Sequence, residues 1–414
     1  MYVFILLKEF FEDIRTQKTR AVLTTAAIGW GIIAVVLLMA FGKGLAYRMR
    51  LGLINAGDRI IRIYGGQTSK KWHGMPAGRI VRLQKEDCAV IRESVPQAAI
   101  VIPDLGRHVH LRAGKKISST YMEGVYPPFE YLRRMFPAPG GRFINEKDLI
   151  ERRRVVFLGE VIARELFGKV NPVGKRLHIE GTPFTVIGIM PKKLQTSMNN
   201  GPDDRRAIIP FSTFQSMYGT VSVNQIMVKA VPGAQSKQTV DQIRAALARK
   251  YRFAPDDQNA LFIWDTEEGE KMMNKIFLGI NIFLALTGAM TLIIAGVGVA
   301  NIMFVVAKER TREIGIKRAI GAKRRDIVFQ FVFESLAISF SGGLLGLLIS
   351  LSIIKLMWLL PAENQTMQFL ARPIFSSDVL AIALFLLTLI GLLAGYFPAR
   401  KAAQVSPVDA LRYE

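Results

Sequence analysis

The stretch GKVNPVGKR, Gly168 to Arg176, is the nearest this sequence comes to a loop that cradles phosphate. Such a loop needs four residues between its glycines, so that successive backbone N–H groups close on the anion, and a hydroxyl after its lysine to hold magnesium. Here five residues separate Gly168 from Gly174, and Arg176 stands where the hydroxyl should be. No ATP site is encoded, and no set of nucleophile and base can be assembled, so no catalytic residue is assigned. His108 and His110 are two apart on a predicted strand and share one face. They would chelate a metal only if a carboxylate approached; a solvated edge-strand pair is commoner, and no metal site is expected. Cys88 is the single cysteine, which excludes an intrachain disulfide, and it reads as a small apolar core residue.

What remains is recognition by charge. The segment NIMFVVAKERTREIGIKRAIGAKRRD, Asn301 to Asp326, turns from apolar to densely ionic at Lys308. From there to Asp326 it carries eight Lys or Arg and three acids, Glu309, Glu313 and Asp326, and a new apolar run starts at Ile327. Glu309 and Glu313 are spaced i, i+4 and are followed by Lys317 and Arg318, while Ile314, Ile316 and Ile320 sit among the charges. That spacing predicts a short amphipathic helix, with Gly315 and Gly321 as interruption or stop. On charge alone two readings stand: a docking helix between two membrane spans, or a basic loop that touches lipid headgroups.

The elements that must carry this loop follow from hydropathy. Half of the 414 residues are hydrophobic and mean hydropathy is +0.25, too apolar for an ordinary soluble protein and too polar to be all membrane. Residues 1–20 set Phe4, Leu7, Phe10, Phe11 and Ile14 among charges in a helical stripe, predicting an amphipathic cytoplasmic helix at the interface. Residues 21–41 lack any charge, enough to cross about 30 Å of hydrocarbon as an uncleaved first span. The next uncharged run, 276–307, is longer than a bilayer needs and predicts a second span continuing as a stalk. After the 308–326 loop come a third span at 327–354, a short outer loop at 355–378, a fourth span at 379–397 and a tail at 398–414.

Residues 42–275 contain no spanning segment and hold 38 Lys or Arg against 22 acids, most of the net charge of +22. Short β-branched runs predict strands at Arg59 to Tyr64, Ala99 to Ile102, His108 to Arg112, Val155 to Leu158, Arg176 to Glu180, Phe184 to Met190, Ala207 to Pro210, Gln225 to Ala230 and Leu261 to Trp264. Helical patterns fall at Gln84 to Glu93, Glu160 to Phe167, Phe211 to Met217 and Ser236 to Lys250. This is an α+β domain with its own core. Its bases are dispersed rather than gathered on one aromatic-flanked helix, so they read as a solvated face, and a membrane surface or acidic envelope component suits them better than nucleic acid.

Counting bases in the short flanks orients the chain. The amino-terminal flank, the 308–326 loop and the tail hold fifteen, and the 355–378 loop holds two. Both termini and the 308–326 loop are therefore expected in the cytoplasm, with the large domain outside. Within the spans, Gly342 and Gly346, Gly391 and Gly395, and Gly296 with Ala300 have the small-xxx-small spacing that lets helices approach closely. They could pack one chain or pair two. Glu334, near the cytoplasmic end of the third span, calls for a loop Arg or Lys as its partner.

ERTREIGIKRAIGA at Glu309 to Ala322, with Asn301 before it and Asp326, Gln330 and Glu334 after it, closely resembles the signature of FtsX and MacB-like permeases of ATP-binding-cassette systems. Thr19 to Leu45 with RIIRIYGG at Arg59 to Gly66, Val155 to Met190, Ala207 to Phe214, and the ending PARKAAQVSPVDALRYE extend the resemblance over nearly the whole chain.

The resemblance implies four transmembrane helices and, between the first two, a periplasmic domain made of a porter-like part with an inserted β-rich part. It implies that Glu309, Arg310, Arg312, Glu313, Ile314, Gly315, Lys317, Arg318, Ala319, Gly321 and Ala322 form the coupling helix that fits a cytoplasmic ATPase. It further implies a dimer of permeases, identical or related, on a dimer of ATPases in the bacterial inner membrane. Mechanotransmission would relay ATP-driven closure to the outer domains. MacB itself carries an ATPase fused ahead of its first span and this chain carries none, so ATP and Mg are expected on a separate partner. Export of a drug, peptide or lipid-like molecule, with or without a periplasmic adaptor, is the leading expectation. Lipoprotein release and signalling to a cell-wall hydrolase are the alternatives.

Overall fold

The computed structural model describes residues 18–57, 59–194, 201–219, 222–360 and 372–404. Most of the expected amphipathic segment 1–20, the middle of the 355–378 loop and the end of the tail lie outside them. The chain divides into two units, Met49–Met273 and the segments on either side of it.

Helix α1 (Lys18–Ala56) holds 39 residues. At 1.5 Å per residue that is roughly 58 Å, nearly twice the hydrocarbon thickness. It therefore runs on past Phe41, since nothing from Gly42 to Ala56 includes a proline to stop it.

The Met49–Met273 unit is built on nine strands: β1 (Ile60–Gly65), β2 (Ala98–Ala113), β3 (Lys116–Val125), β4 (Val155–Gly159), β5 (Arg176–Ile179), β6 (Thr182–Met190), β7 (Arg206–Pro210), β8 (Gln225–Ala230) and β9 (Leu261–Asp265). They make one sheet in the order β3-β7-β4-β6-β5-β2-β8-β1-β9. Helices α2 (Asp87–Ser94), α3 (Glu160–Phe167), α4 (Phe211–Tyr218) and α5 (Ser236–Tyr251) accompany it. The units β1-α2-β2 and β8-α5-β9 give the antiparallel order β2-β8-β1-β9, the split β-α-β arrangement of ferredoxin-like folds. Everything between Asp104 and Gln225 is an insertion into that frame, adding the parallel pairs β3 with β7 and β4 with β6.

Two predicted strands prove to be one. β2 pairs β8 through Ala98–Asp104 and β3 through Leu105–Ala113, so a single strand serves both parts. Pro103, Asp104 and Gly106 look like a break, but Gly106 is where the Tyr121 ring crosses the strand, and a Cβ there would strike it. No strand is predicted over β3 because its run Ser118-Ser119-Thr120 is polar and Glu123 is buried. The sheet covers separate apolar clusters, one with Leu111, Val156, Phe184 and Phe214, the other with Ile102, Phe129, Phe157 and Met227. Cys88 lies in the first, and burial pushes its thiol up to about 12, consistent with an inert core residue.

In the other unit, α6 (Thr266–Glu309) leaves β9 without a break and is 44 residues long. It is followed by α7 (Thr311–Ala319), α8 (Arg324–Leu359) and α9 (Ser377–Ala402). Among the described residues, α1, α6, α8 and α9 are the four helices long and apolar enough to cross a membrane. Their small residues meet within this chain: a Cβ on Gly342 or Gly346 would press on Thr25, Ile28 and Gly29 of α1. Gly391 and Gly395 face Ser339 and Ser335 of α8, Gly296 faces Ile390 of α9, and Ala300 packs into the same cluster.

Candidate functional site

Helix α7 is bounded by local chemistry. α6 ends at Glu309, and Arg310 caps the next helix in a non-helical conformation. At the other end Gly321 adopts φ +109°, a conformation glycine reaches without a Cβ penalty, and Ala322 N–H returns to the Lys317 carbonyl at 3.0 Å. Asp326 then accepts from Lys323 N–H at 3.0 Å and starts α8.

One side of α7 is fixed from within. Ile314 is buried with Ile327, Phe331 and Ala399, and Gly315 is buried beside it. Arg310 donates to both oxygens of Glu334, at 3.1 and 3.3 Å, and Gln330 donates to the same carboxylate at 3.2 Å. Glu334 thus meets the loop arginine its position calls for. Lys317 reaches Gln330 at 3.5 Å and pairs with Glu313 at 2.8 Å, and Arg318 donates to the Ala403 carbonyl at 3.1 Å. Side-chain networks of this kind hold a helix in one orientation.

The other side is open. Glu309, Arg312, Glu313, Ala319 and Gly321 are exposed, and so are Ile316 (43 %) and Ile320 (82 %). The residues singled out from sequence therefore divide: Arg310, Ile314, Gly315, Lys317 and Arg318 anchor the helix, Ala322 packs on the same apolar cluster, and the rest face outward. Ile316 and Ile320 belong to the outward set. The spacing 312, 316, 319, 320 places them on one face, but which face turns inward depends on α8 and α9.

The α+β domain holds a second polar centre that the reading of its bases as a solvated face missed. Arg133, Arg206, Asp203, Glu123 and Asp104 are nearly fully buried. Asp203 takes Arg133 at 2.5 Å, Lys193 at 2.7 Å and Arg206 at 3.3 Å, and Arg206 also pairs with Glu123. Lys193 donates in addition to the backbone carbonyls of Asn55, in the last turn of α1, and Arg133, at 3.0 and 2.7 Å. Arg50 of α1 reaches Glu270 of α6 at 3.2 Å. The ends of both long helices are thus tied to polar partners. His108 and His110 are exposed on β2; His108 packs edge-on to Tyr121, and Glu180 accepts from the His110 N–H. No group of three metal-ligating side chains occurs among the described residues.

Burial, then the nearby Glu123 carboxylate, holds the Asp104 carboxyl well above the usual range, against the opposing pull of the Gln225 hydrogen bond and Arg206. An acid whose folded value is raised keeps its proton longer folded than unfolded, so stability falls as pH rises from the unfolded value near about 3.9. Asp104→Asn mimics the protonated acid and keeps an acceptor for Gln225. Its unfolding free energy is expected to fall less than the wild type's as pH rises above the unfolded value. Denaturant titrations across that range check it, and identical pH profiles would refute it.

A family model described as MacB-like periplasmic core domain matches residues 21–246, more than half of the chain. The chain belongs to the MacB-like family. A second model, FtsX-like permease C-terminal, matches residues 285–407 and so includes α7. Similar proteins include the macrolide export ATP-binding/permease protein MacB of Bdellovibrio bacteriovorus, 29% identical over 99% of this chain and 61% of that protein. The protein of the same name from Chlorobium phaeobacteroides is 31% identical over 99% of this chain and 60% of its own length. The pyoverdine export ATP-binding/permease protein PvdT of Pseudomonas aeruginosa is 31% identical over 95% and 56%. The chain spans about three fifths of the length of these relatives. Four helices able to span and a MacB-like periplasmic core domain between the first two make this MacB-like chain a multi-pass membrane protein.

Proposed function

We propose that the chain is the permease subunit of an ATP-driven export system of the bacterial inner membrane, in which α7 receives the stroke of a separate ATP-binding-cassette ATPase. The observation that carries this is the construction of α7: clamped behind by Arg310, Glu334 and Ile314, and bearing two exposed isoleucines on its free face. Exposed apolar side chains on a rigid support suit a pocket in a partner. ATP and Mg are bound by that partner. Two permease chains complete the assembly, with both termini and α7 in the cytoplasm and the α+β domain outside.

The long helices α1 and α6 supply the mechanical link. Each reaches well beyond the hydrocarbon, and each ends on a strand or ionic contact of the α+β domain. Motion imposed at one end of a stiff helix reaches the other without a channel through the bundle. The names of the relatives, macrolide and pyoverdine export, support export of a small molecule, drug, peptide or lipid-like.

The test replaces the outward face and leaves the clamp intact. Ile316→Asp with Ile320→Asp is expected to leave expression and melting unchanged and to weaken capture of the co-purifying ATPase by about a hundredfold or more, since each buried isoleucine contributes about 1.5–3 kcal/mol. Arg310 is unsuited to this purpose because its loss would take a paired charge away from the buried Glu334. Undiminished ATPase capture by a well-folded double variant would overturn the coupling role.

A further inference from the structure

At the end of the α+β domain opposite its junctions with α1 and α6, where β1 stops and β9 starts, lies an open groove of about 410 Å³. That is within the range of about 300–1,000 Å³ usual for small-ligand sites. One wall is the end of α5, with Arg249, Arg252 and Phe253; the other is a hairpin carrying Trp72 and His73. No carboxylate lines it.

The groove is braced rather than incidental. Trp72 and Met75 exchange backbone hydrogen bonds at 3.1 and 2.8 Å, closing the hairpin tip. Arg79 donates to the carbonyls of Tyr251 and Arg252, at 3.2 and 2.5 Å, and so ties the hairpin to α5. Asp257 accepts from Ser69 N–H and Lys70 N–H, at 2.7 and 3.1 Å, and fixes its other strand. The neighbouring acids are thereby occupied, since Asp256 pairs with Lys70.

Among the described residues the guanidiniums of Arg249 and Arg252 have neither ion pair nor hydrogen bond. Bases near a helix carboxyl end are favoured by its dipole, which accounts for Arg249. It does not account for Arg252 and His73, whose φ of 52° and 44° lie in the left-handed region that glycine or asparagine occupies with less strain. Nor does it account for an exposed indole held edge-on to His73 at 4.6 Å across from the two guanidiniums.

We infer that this groove binds a small organic anion with a flat apolar body, its charge between Arg249 and Arg252 and its body against the Trp72 indole. Paired guanidiniums recognise an anionic oxygen group by charge-assisted hydrogen bonds, and the exposed indole selects a planar partner. The assignment stands apart from the coupling role of α7, because no ATPase takes part in it.

The test uses the full chain in nanodiscs of zwitterionic phosphatidylcholine, with equilibrium dialysis of naphthalene-2-sulfonate and its neutral counterpart naphthalene-2-methanol. Saturable, one-site uptake of the sulfonate is expected, with the alcohol showing only partition into lipid. Arg249→Gln with Arg252→Asn, and separately Trp72→Ala, should each weaken uptake by about tenfold or more, while the exposed control Lys237→Gln on α5 does not. Asn tolerates the left-handed position, and Trp72 is exposed, so folding is retained in both variants. No uptake, equal uptake by variants and wild type, or equal uptake of the alcohol would overturn the inference. Occupancy by an acidic peptide with none by the sulfonate would overturn it in favour of a protein partner.

Discussion

A chain carrying Asp203→Ala is expected to lose about 3–5 kcal/mol of stability in its α+β domain, the loss typical of removing one partner from a buried ion pair. Asp203 is wholly buried and faces Arg133, Lys193 and Arg206. Its removal leaves three cations around a void, with Arg206 still paired to Glu123. Burial already pulls the Lys193 ammonium below its ordinary value, opposed first by the charge of Asp203, so the variant would also favour a neutral Lys193. Exposure decides the scale of such effects. Glu165→Gln, which breaks an exposed pair with Arg205 at 2.6 Å, is expected to change stability by less than about 1 kcal/mol. Denaturant unfolding in detergent, followed by tryptophan fluorescence, compares the two. An Asp203→Ala midpoint close to that of Glu165→Gln would show that the ionic centre contributes little.

Gly346→Val is the second large change. A Cβ at Gly346 would lie 2.5 Å from the Gly29 carbonyl oxygen and 3.1 Å from the Gly29 Cα, all backbone atoms of α1 that no rotamer change can move aside. The two helices must separate, and the loss is expected to exceed the roughly 1–3 kcal/mol usual for overpacking by side chains alone. Gly298→Ala is the contrast, since nothing lies within 4 Å of its Cβ position. The thermal midpoint and monodispersity of the two purified chains decide. Equal behaviour would mean that α1 and α8 do not approach closely through these glycines.

The four long helices and most strands were legible because each depends on a local run: uncharged segments of bilayer length, and β-branched residues between turns. The charged segment around α7 was legible for the same reason. The facing of α7 was not, because Ile314 is drawn inward by Ile327 and Phe331 on α8 and Ala399 on α9, contacts that no helical period within nine residues encodes. The ionic centre was illegible too. Arg133 meets Asp203 across 70 positions and Arg206 meets Glu123 across 83, so a dispersed set of bases looked like a wetted surface. β2 was divided because Pro103 and Gly106 usually mark turns, whereas here a tyrosine ring across the strand accounts for the glycine.

The point at which the insertion leaves and rejoins the ferredoxin-like frame has an evolutionary consequence. Asp104 and Gln225 are direct partners in the β2 and β8 ladder, and their side chains are hydrogen-bonded to each other. A segment whose two ends are already side by side closes its loop within the frame, and doubling its length adds only about 0.6 kcal/mol of closure entropy. That lobe is free to grow or shrink while the strands that join α1 and α6 keep their places, so long as Lys193 and Leu194 stay against Asn55 at the end of α1. Variation in length can therefore accumulate in the rest of one inserted module without disturbing the frame that carries both helices.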